Sequence, residues 1–324
     1  MKALTKILIK LSLAGGIIAL AALLILKNIN INDAIAKITR LSWVAILGML
    51  LMVLIISISK TWRFYLLCKK SGLKVSWWQA LKIFFSSQAT TPLPGGEVMR
   101  GILLKLETHN TPIEVSGPVV AQAFMEVISA IVIVIIGSIF YRILLVASLI
   151  LVIILLSAAL FIAKPDWVKK FTDWIGKWHR VKKYATNVTK AQQELTHILF
   201  GNKIKVNLFL IEIFGISLLS HIIGGLLIYF ISITLGIAIS LLFSIFLYAA
   251  TVVIVGLLGA IPGGVGVTEG GMLGLLRLYG ISLTQSTILI ILFRFWTLVF
   301  PIVLGLVLMA IFYGKQLLLV HRKK

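Results

Sequence analysis

The chain has 324 residues, 60% of them hydrophobic and only 13% charged, with a mean hydropathy of +1.09 and a formal net charge of +21. Soluble domains carry about 25% charged residues, so this composition excludes a soluble globular enzyme and demands an integral membrane protein. The cationic excess does not point to nucleic acid, because most of the 31 Lys and Arg fall in loops between apolar runs, where they meet anionic head groups.

In chain order, a first span covers about Ile7 to Leu26, preceded by Lys2, Lys6 and Lys10. No clean small-x-small site follows it, so it is expected to stay as an uncleaved helix rather than leave as a signal peptide. A polar stretch, Lys27 to Arg40, leads to a second span near Ser42–Ser59. After it come the basic, aromatic residues 60–82, whose Trp77 and Trp78 suit an interfacial belt. Thr91 to Gly101, TPLPGGEVMRG, then interrupts an apolar context, with a helix to about Glu107. Third and fourth spans follow near Gly117–Ile139 and Ile143–Ala163. The loop from Lys164 to Lys205 holds ten Lys or Arg against three acids and reads as a helix lying on the membrane surface. A fifth span covers about Val206–Leu235. A further apolar run, Ser240–Ile261, meets a second interruption, AIPGGVGVTEGG from Ala260 to Gly271, with a helix to about Gly280. The last span, about Thr284–Tyr313, contains Pro301, where a kink is expected.

Cations concentrate at both chain ends, in 60–82 and in 164–205, which predicts cytoplasmic termini and an even number of crossings. Six full spans satisfy that parity if each Pro-Gly-Gly element is a re-entrant hairpin, one entering from each face. The expected fold class is therefore an all-α polytopic membrane protein of about six full transmembrane helices plus two re-entrant hairpins, in two inverted halves. One membrane domain spans 1–324: a first half over 7–139 with its hairpin near 84–107, the fourth helix and basic loop over 140–205, and a second half over 206–313 with its hairpin near 240–280.

Charges inside apolar runs carry most of the functional information. Glu126 and Arg294 each cost about 2.5–3.5 kcal/mol at a helix centre, so each must face a partner or a cavity. The simplest expectation is that they pair with each other across the two halves, either as a structural ion pair or as the lining of a head-group path. Glu97 and Glu269 begin helices after glycine-rich breaks, where they complement the helix dipole or handle a proton or cation. Arg100 lies one turn from Glu97 and either pairs with it or offers its planar fork to a phosphate. Helix starts at Gly95, Gly96, Gly263 and Gly264 offer backbone N–H groups to an anion. Gly266, Gly270 and Gly274 form a ridge on which close packing of a neighbour is the favoured expectation. His221, on the fifth span, is either hydrogen-bonded to another helix or part of a proton relay.

Nucleophile elbows, zinc-protease motifs, phosphate loops and acidic metal clusters are all missing from the sequence. The single cysteine, Cys68, allows no internal disulfide. No cofactor or metal is expected, and catalysis is not favoured.

PLPGGEVMRGILLK, IPGGVGVTEGGMLGLLRLYGIS and FRFWTLVFPIVLG, with the Trp62-Arg63 pair, resemble the transmembrane region of the lysylphosphatidylglycerol synthase family, also described as flippase-like integral membrane proteins. The resemblance implies a lipid-handling membrane domain. Some members carry a fused soluble aminoacyl-transferase domain; no such domain follows the last span in this sequence, so aminoacylation is not carried over. The family often shows Glu-Arg in the third span, where this chain has Glu126-Val127; if that arginine holds the head group, its role passes to Arg294 or Arg100, or is lost. The expected work is translocation of an anionic phospholipid or lipid-linked head group, with Arg100 and Arg294 on the phosphate and Glu126, Glu97 and Glu269 balancing charge or coupling protons. An ion-coupled small-solute transporter, and a membrane subunit or enzyme of lipid-linked sugar metabolism, stay open as alternatives. Expected partners are membrane lipids, with a homodimer and a partner transferase also open and no nucleic acid. The expected location is the cell membrane.

Overall fold

A computed structural model of the chain describes residues 36, 39, 41–91, 96, 98–141, 150–154, 157, 170, 193, 195–199, 207–257 and 264–322. The expected first span, most of the fourth span and most of the basic loop lie outside the described residues.

Ser42 starts α1 (Trp43–Lys70), its hydroxyl accepting from the Ala45 amide. This helix does not stop at Ser59. It ends at Ser71-Gly72, where Gly72 takes φ 76° and closes the last carbonyls. The expected second span is thus corrected: Lys60 and Arg63 belong to its helix and not to an interfacial stretch. Cations that find a partner do not end a helix, and no breaker precedes Gly72.

A Ser76–Gln79 capping box begins α2 (Trp77–Ser87), which tightens into a 3₁₀ turn at Gln88–Thr90. Beyond the first interruption lies α3 (Val98–Thr108). Thr111 and Glu114 form a second capping box at the start of α4 (Pro112–Phe140), with Pro112 in the first turn. Asn207 caps α5 (Leu208–Thr234). Then come α6 (Leu241–Leu257), α7 (Val267–Leu278) and α8 (Leu283–Arg294). Phe295–Val299 form a π turn that runs into α9 (Phe300–Arg322), so the expected Pro301 kink takes the form of a wide turn just before the proline.

The protein is an all-α polytopic membrane protein. Among the described residues, four stretches are long and apolar enough to cross a bilayer: Trp43–Lys70, Glu114–Phe140, Leu208–Thr234 and Leu283–Gly314. The helices α2, α3 and α7 have 11, 11 and 12 residues. At about 1.5 Å per residue they reach little more than half of a ~30 Å hydrocarbon core.

The open ends of the two short-helix pairs lie at opposite ends of α4. At the α2–α3 pair, Glu107 accepts from Gln79, Lys82 and the Tyr313 hydroxyl, shortly before α4 begins at Pro112. At the α6–α7 pair, Tyr141, just past α4, contacts Ser240, and Phe243 stacks on Tyr279 with ring centroids 3.9 Å apart. It follows that α1 and α5 run in opposite senses where they pack side by side. Packing partners also correspond between the halves. α2 sits on α1 and α9; α6 sits on α5 and α4. α3 packs on α4; α7 packs on α8. The main apolar core gathers residues of α1, α4, α5, α6, α7 and α8.

Candidate functional site

Glu126 is the middle residue of the 29-residue α4, which places it near the centre of the bilayer. It does not meet Arg294. Its Oε1 takes the Lys60 ammonium at 2.5 Å and its Oε2 takes Arg63 Nη2 at 2.5 Å. Lys60 and Arg63 stand one turn apart on α1, so one carboxylate can face both. Arg63 is wholly buried and gives its other terminal nitrogen to Ser217 of α5 at 2.6 Å. The Lys60 and Glu126 side chains keep 21% and 19% of their surface open. Among the described residues, these two cations and one carboxylate leave one positive charge in the cluster.

Neighbouring helices complete this cluster. His221, one turn beyond Ser217, places Nε2 3.0 Å from the Glu126 carbonyl and 2.9 Å from Ser129 Oγ. Those contacts fit a proton on Nε2 and match the expectation of a hydrogen bond to another helix. Gln122, one turn before Glu126, donates to the Lys60 carbonyl. Tyr248 of α6 stands beside His221 and interacts with Lys60. Among the described residues, three buried polar atoms here have no partner: Arg63 Nε, His221 Nδ1 and Gln122 Oε1. The site therefore combines excess cationic charge with unused donors and acceptors, which suits a polar anion more than an apolar ligand.

The second charged centre is Arg294 with Glu269. Arg294 Nε meets Glu269 Oε1 at 2.5 Å, while Glu269 Oε2 accepts the Gly266 amide at 2.6 Å. Glu269 thus caps α7 and neutralises Arg294 at once. The expected Glu126–Arg294 pair is replaced by two local pairs, because each charge finds an opposite partner on a helix nearer to it.

Arg100 is buried with its guanidinium over the Phe84 ring at 4.6 Å and its Nε 3.3 Å from Ser87 Oγ. It is held within the α2–α3 pair. At Gly96 an added Cβ would fall 2.0 Å from the Thr90 carbonyl, so glycine is required there by close backbone approach. Gly264 has φ 63°, a backbone conformation that favours glycine. Gly95, Glu97 and Gly263 lie outside the described residues. The glycine ridge departs from expectation: an added Cβ at Gly266, Gly270 or Gly274 meets nothing within 4 Å, whereas Gly271 faces Ile254. The close contact of α7 with its neighbour is made by Gly271.

Outside the spanning helices, Glu107 ties α2, α3 and α9 together. Burial alone would raise its pKa, but hydrogen bonds from Gln79, Lys82 and Tyr313 and the Lys82 charge outweigh it and hold the carboxyl below its ordinary value. Among the described residues no His, Cys, Asp and Glu cluster could hold a metal ion.

Lys60, Ser217 and Tyr248 were not singled out from the sequence. Two signals were available. Lys60 and Arg63 share a helix face, and Ser217 and His221 recur at four-residue spacing in a largely apolar run.

A family model described as the lysylphosphatidylglycerol synthase TM region matches residues 7–305. The chain belongs to this family. Membership makes it a multi-pass membrane protein of a family tied to lipid metabolism or transport. The match includes both interruptions, the Lys60–Arg63–Glu126 cluster and the Arg294–Glu269 pair. No curated protein matches the chain.

Proposed function

We propose that this protein is a lipid translocase that moves an anionic phospholipid or lipid-linked head group across the bilayer. The single observation that carries this reading is the Lys60–Arg63–Glu126 cluster, which keeps one uncompensated positive charge halfway along a spanning helix. An isolated charge at that depth costs several kcal/mol unless it serves a ligand or a path. A phosphodiester carries one negative charge and would neutralise the cluster while its tails stay in lipid. The short-helix pairs are read as re-entrant hairpins of two inverted halves, supported by their length, their opposed open ends and the corresponding packing. Arg294, held by Glu269 beside the second hairpin, is the next cation along such a path.

The test uses vesicles of phosphatidylcholine containing head-group-labelled phosphatidylglycerol and a membrane-impermeant reductant. The wild-type protein is expected to expose inner-leaflet label faster than protein-free vesicles do. Lys60→Gln removes the excess charge of the cluster, and Arg294→Ala removes the second cation; both are expected to slow exposure. A wild-type rate equal to that of empty vesicles sinks the translocase, and full rates in both variants sink the assigned path.

A further inference from the structure

A groove of about 290 Å³ lies beside α7, with neither Glu269 nor Arg294 in its lining. Its walls include Val134 of α4, Ala250 and Val253 of α6, Leu151, and Gly270 and Gly274. All ten lining residues are apolar, and Leu278 closes one end. The other end starts one residue from Glu269. Between Gly270 and Leu278 the groove follows α7 for about 12 Å, so it is a channel along a helix. Side chains at Gly270 and Gly274 would meet nothing within 4 Å, so the space is not filled by the described protein.

We infer that this groove binds one acyl chain of a phospholipid. Three observations select that occupant. The lining offers no hydrogen-bonding side chain, so a polar solute gains nothing by entering. The rim carries exposed Leu278 and, beside Leu151, exposed Ile150 and Ile153, so it opens on the surface that the spanning helices immerse in hydrocarbon. Glycine at two successive turns leaves a wall of backbone along which an unbranched chain fits without moving a side chain. The inference rests on the translocase reading for its purpose: a tail held here accompanies a head group passing the charges on α4 and α8.

Gly270 and Gly274 both have helical φ and open space, so filling them does not disturb the fold. The experiment uses the full chain in vesicles containing phosphatidylglycerol with a photoreactive diazirine on one acyl chain. After illumination, label is expected on the peptide spanning 267–278 at a higher yield than on the exposed α4 residues Ile136 and Ile139, which report ordinary lipid contact. Gly274→Leu and Gly270→Leu are each expected to abolish the excess without lowering thermal stability. Equal yields on the two surfaces, or excess labelling that survives both substitutions, overturns the inference. A second copy in the groove also overturns it and would appear as a disulfide-linked dimer of Gly274→Cys. Head-group exposure measured in the same vesicles separates the two claims. Labelling without transport removes the translocase and keeps the groove; transport without excess labelling does the reverse.

Discussion

Glu126 pairs with two cations that α1 places one turn apart, so its removal is felt twice. Glu126→Gln leaves Lys60 and buried Arg63 facing each other without a counter-charge. Breaking a buried pair in this way costs about 3–5 kcal/mol. Thermal unfolding in detergent should show that loss, and Arg63→Gln in the same chain should recover part of it, because two stranded cations are worse than one. Equal stability of the single and double variants would refute the pairing. Glu107 gives a second test, now with pH. Its folded pKa lies below the ordinary carboxylate value, so the fold favours the ionised form. Its contribution is fully present above the ordinary pKa and is lost as pH falls through the folded one. Between roughly pH 5 and pH 3 the wild type should therefore lose more stability than Glu107→Gln, which carries no such proton. Superimposable melting profiles across that window would count against it. Residue types were legible in the sequence more readily than partners. Glu126 and Arg294 stand out because charge is rare in apolar runs. Which charge meets which depends on helix rotation and neighbours, and the short range of Coulomb attraction favoured Lys60 and Glu269 over a pairing across the halves.

Two glycines decide how firmly the α2–α3 pair is seated. On α9, a Cβ at Gly305 would lie 2.5 Å from the Ala89 amide nitrogen and 2.8 Å from the Phe85 carbonyl. Both are backbone atoms, which cannot rotate away. Gly305→Ala should therefore push the pair off α9 and destabilise by about 1–3 kcal/mol, the usual range for overpacking. Gly101, within α3, has nothing within 4 Å, and Gly101→Ala should stabilise by about 0.5–1 kcal/mol by removing helix-interior glycine. Melting temperatures moving in the same direction for both would contradict the packing. Apolar runs and Pro-Gly-Gly breaks located most helices to within a few residues, because solvent-free backbone must close its own hydrogen bonds. The α1 end was the exception. Lys60 resembles an interfacial boundary when only hydropathy is weighed, yet Gly72 is the first residue that can terminate the helix with a left-handed turn. The glycine ridge of α7 misled for a related reason: four-residue spacing identifies a smooth face but not what lies against it.

At the scale of the whole molecule, the decisive relation is that α1 delivers the chain to one end of α4 and α5 to the other. The 71–76 connection leads into α2 at the Glu107 end of α4, and the 235–240 connection leads into α6 at the Tyr141 end. The first connection lies in the cation-rich 60–82 region, and the second carries no charge at all. Positive charge is retained on the cytoplasmic side, so these connections should lie inside and outside respectively. Lys74 and Ala238 are both exposed, and Cys68, the only cysteine, is buried. Lys74→Cys and Ala238→Cys therefore report each connection without interference. In intact cells a membrane-impermeant maleimide should modify Ala238→Cys and spare Lys74→Cys until the membrane is opened. Modification of both from one side would abolish the inverted arrangement and leave the two short-helix pairs no means of approaching the bilayer centre from opposite faces. The reversed pattern would keep the inversion and overturn only the orientation, since charge bias sets direction while the fold sets the relation between the halves.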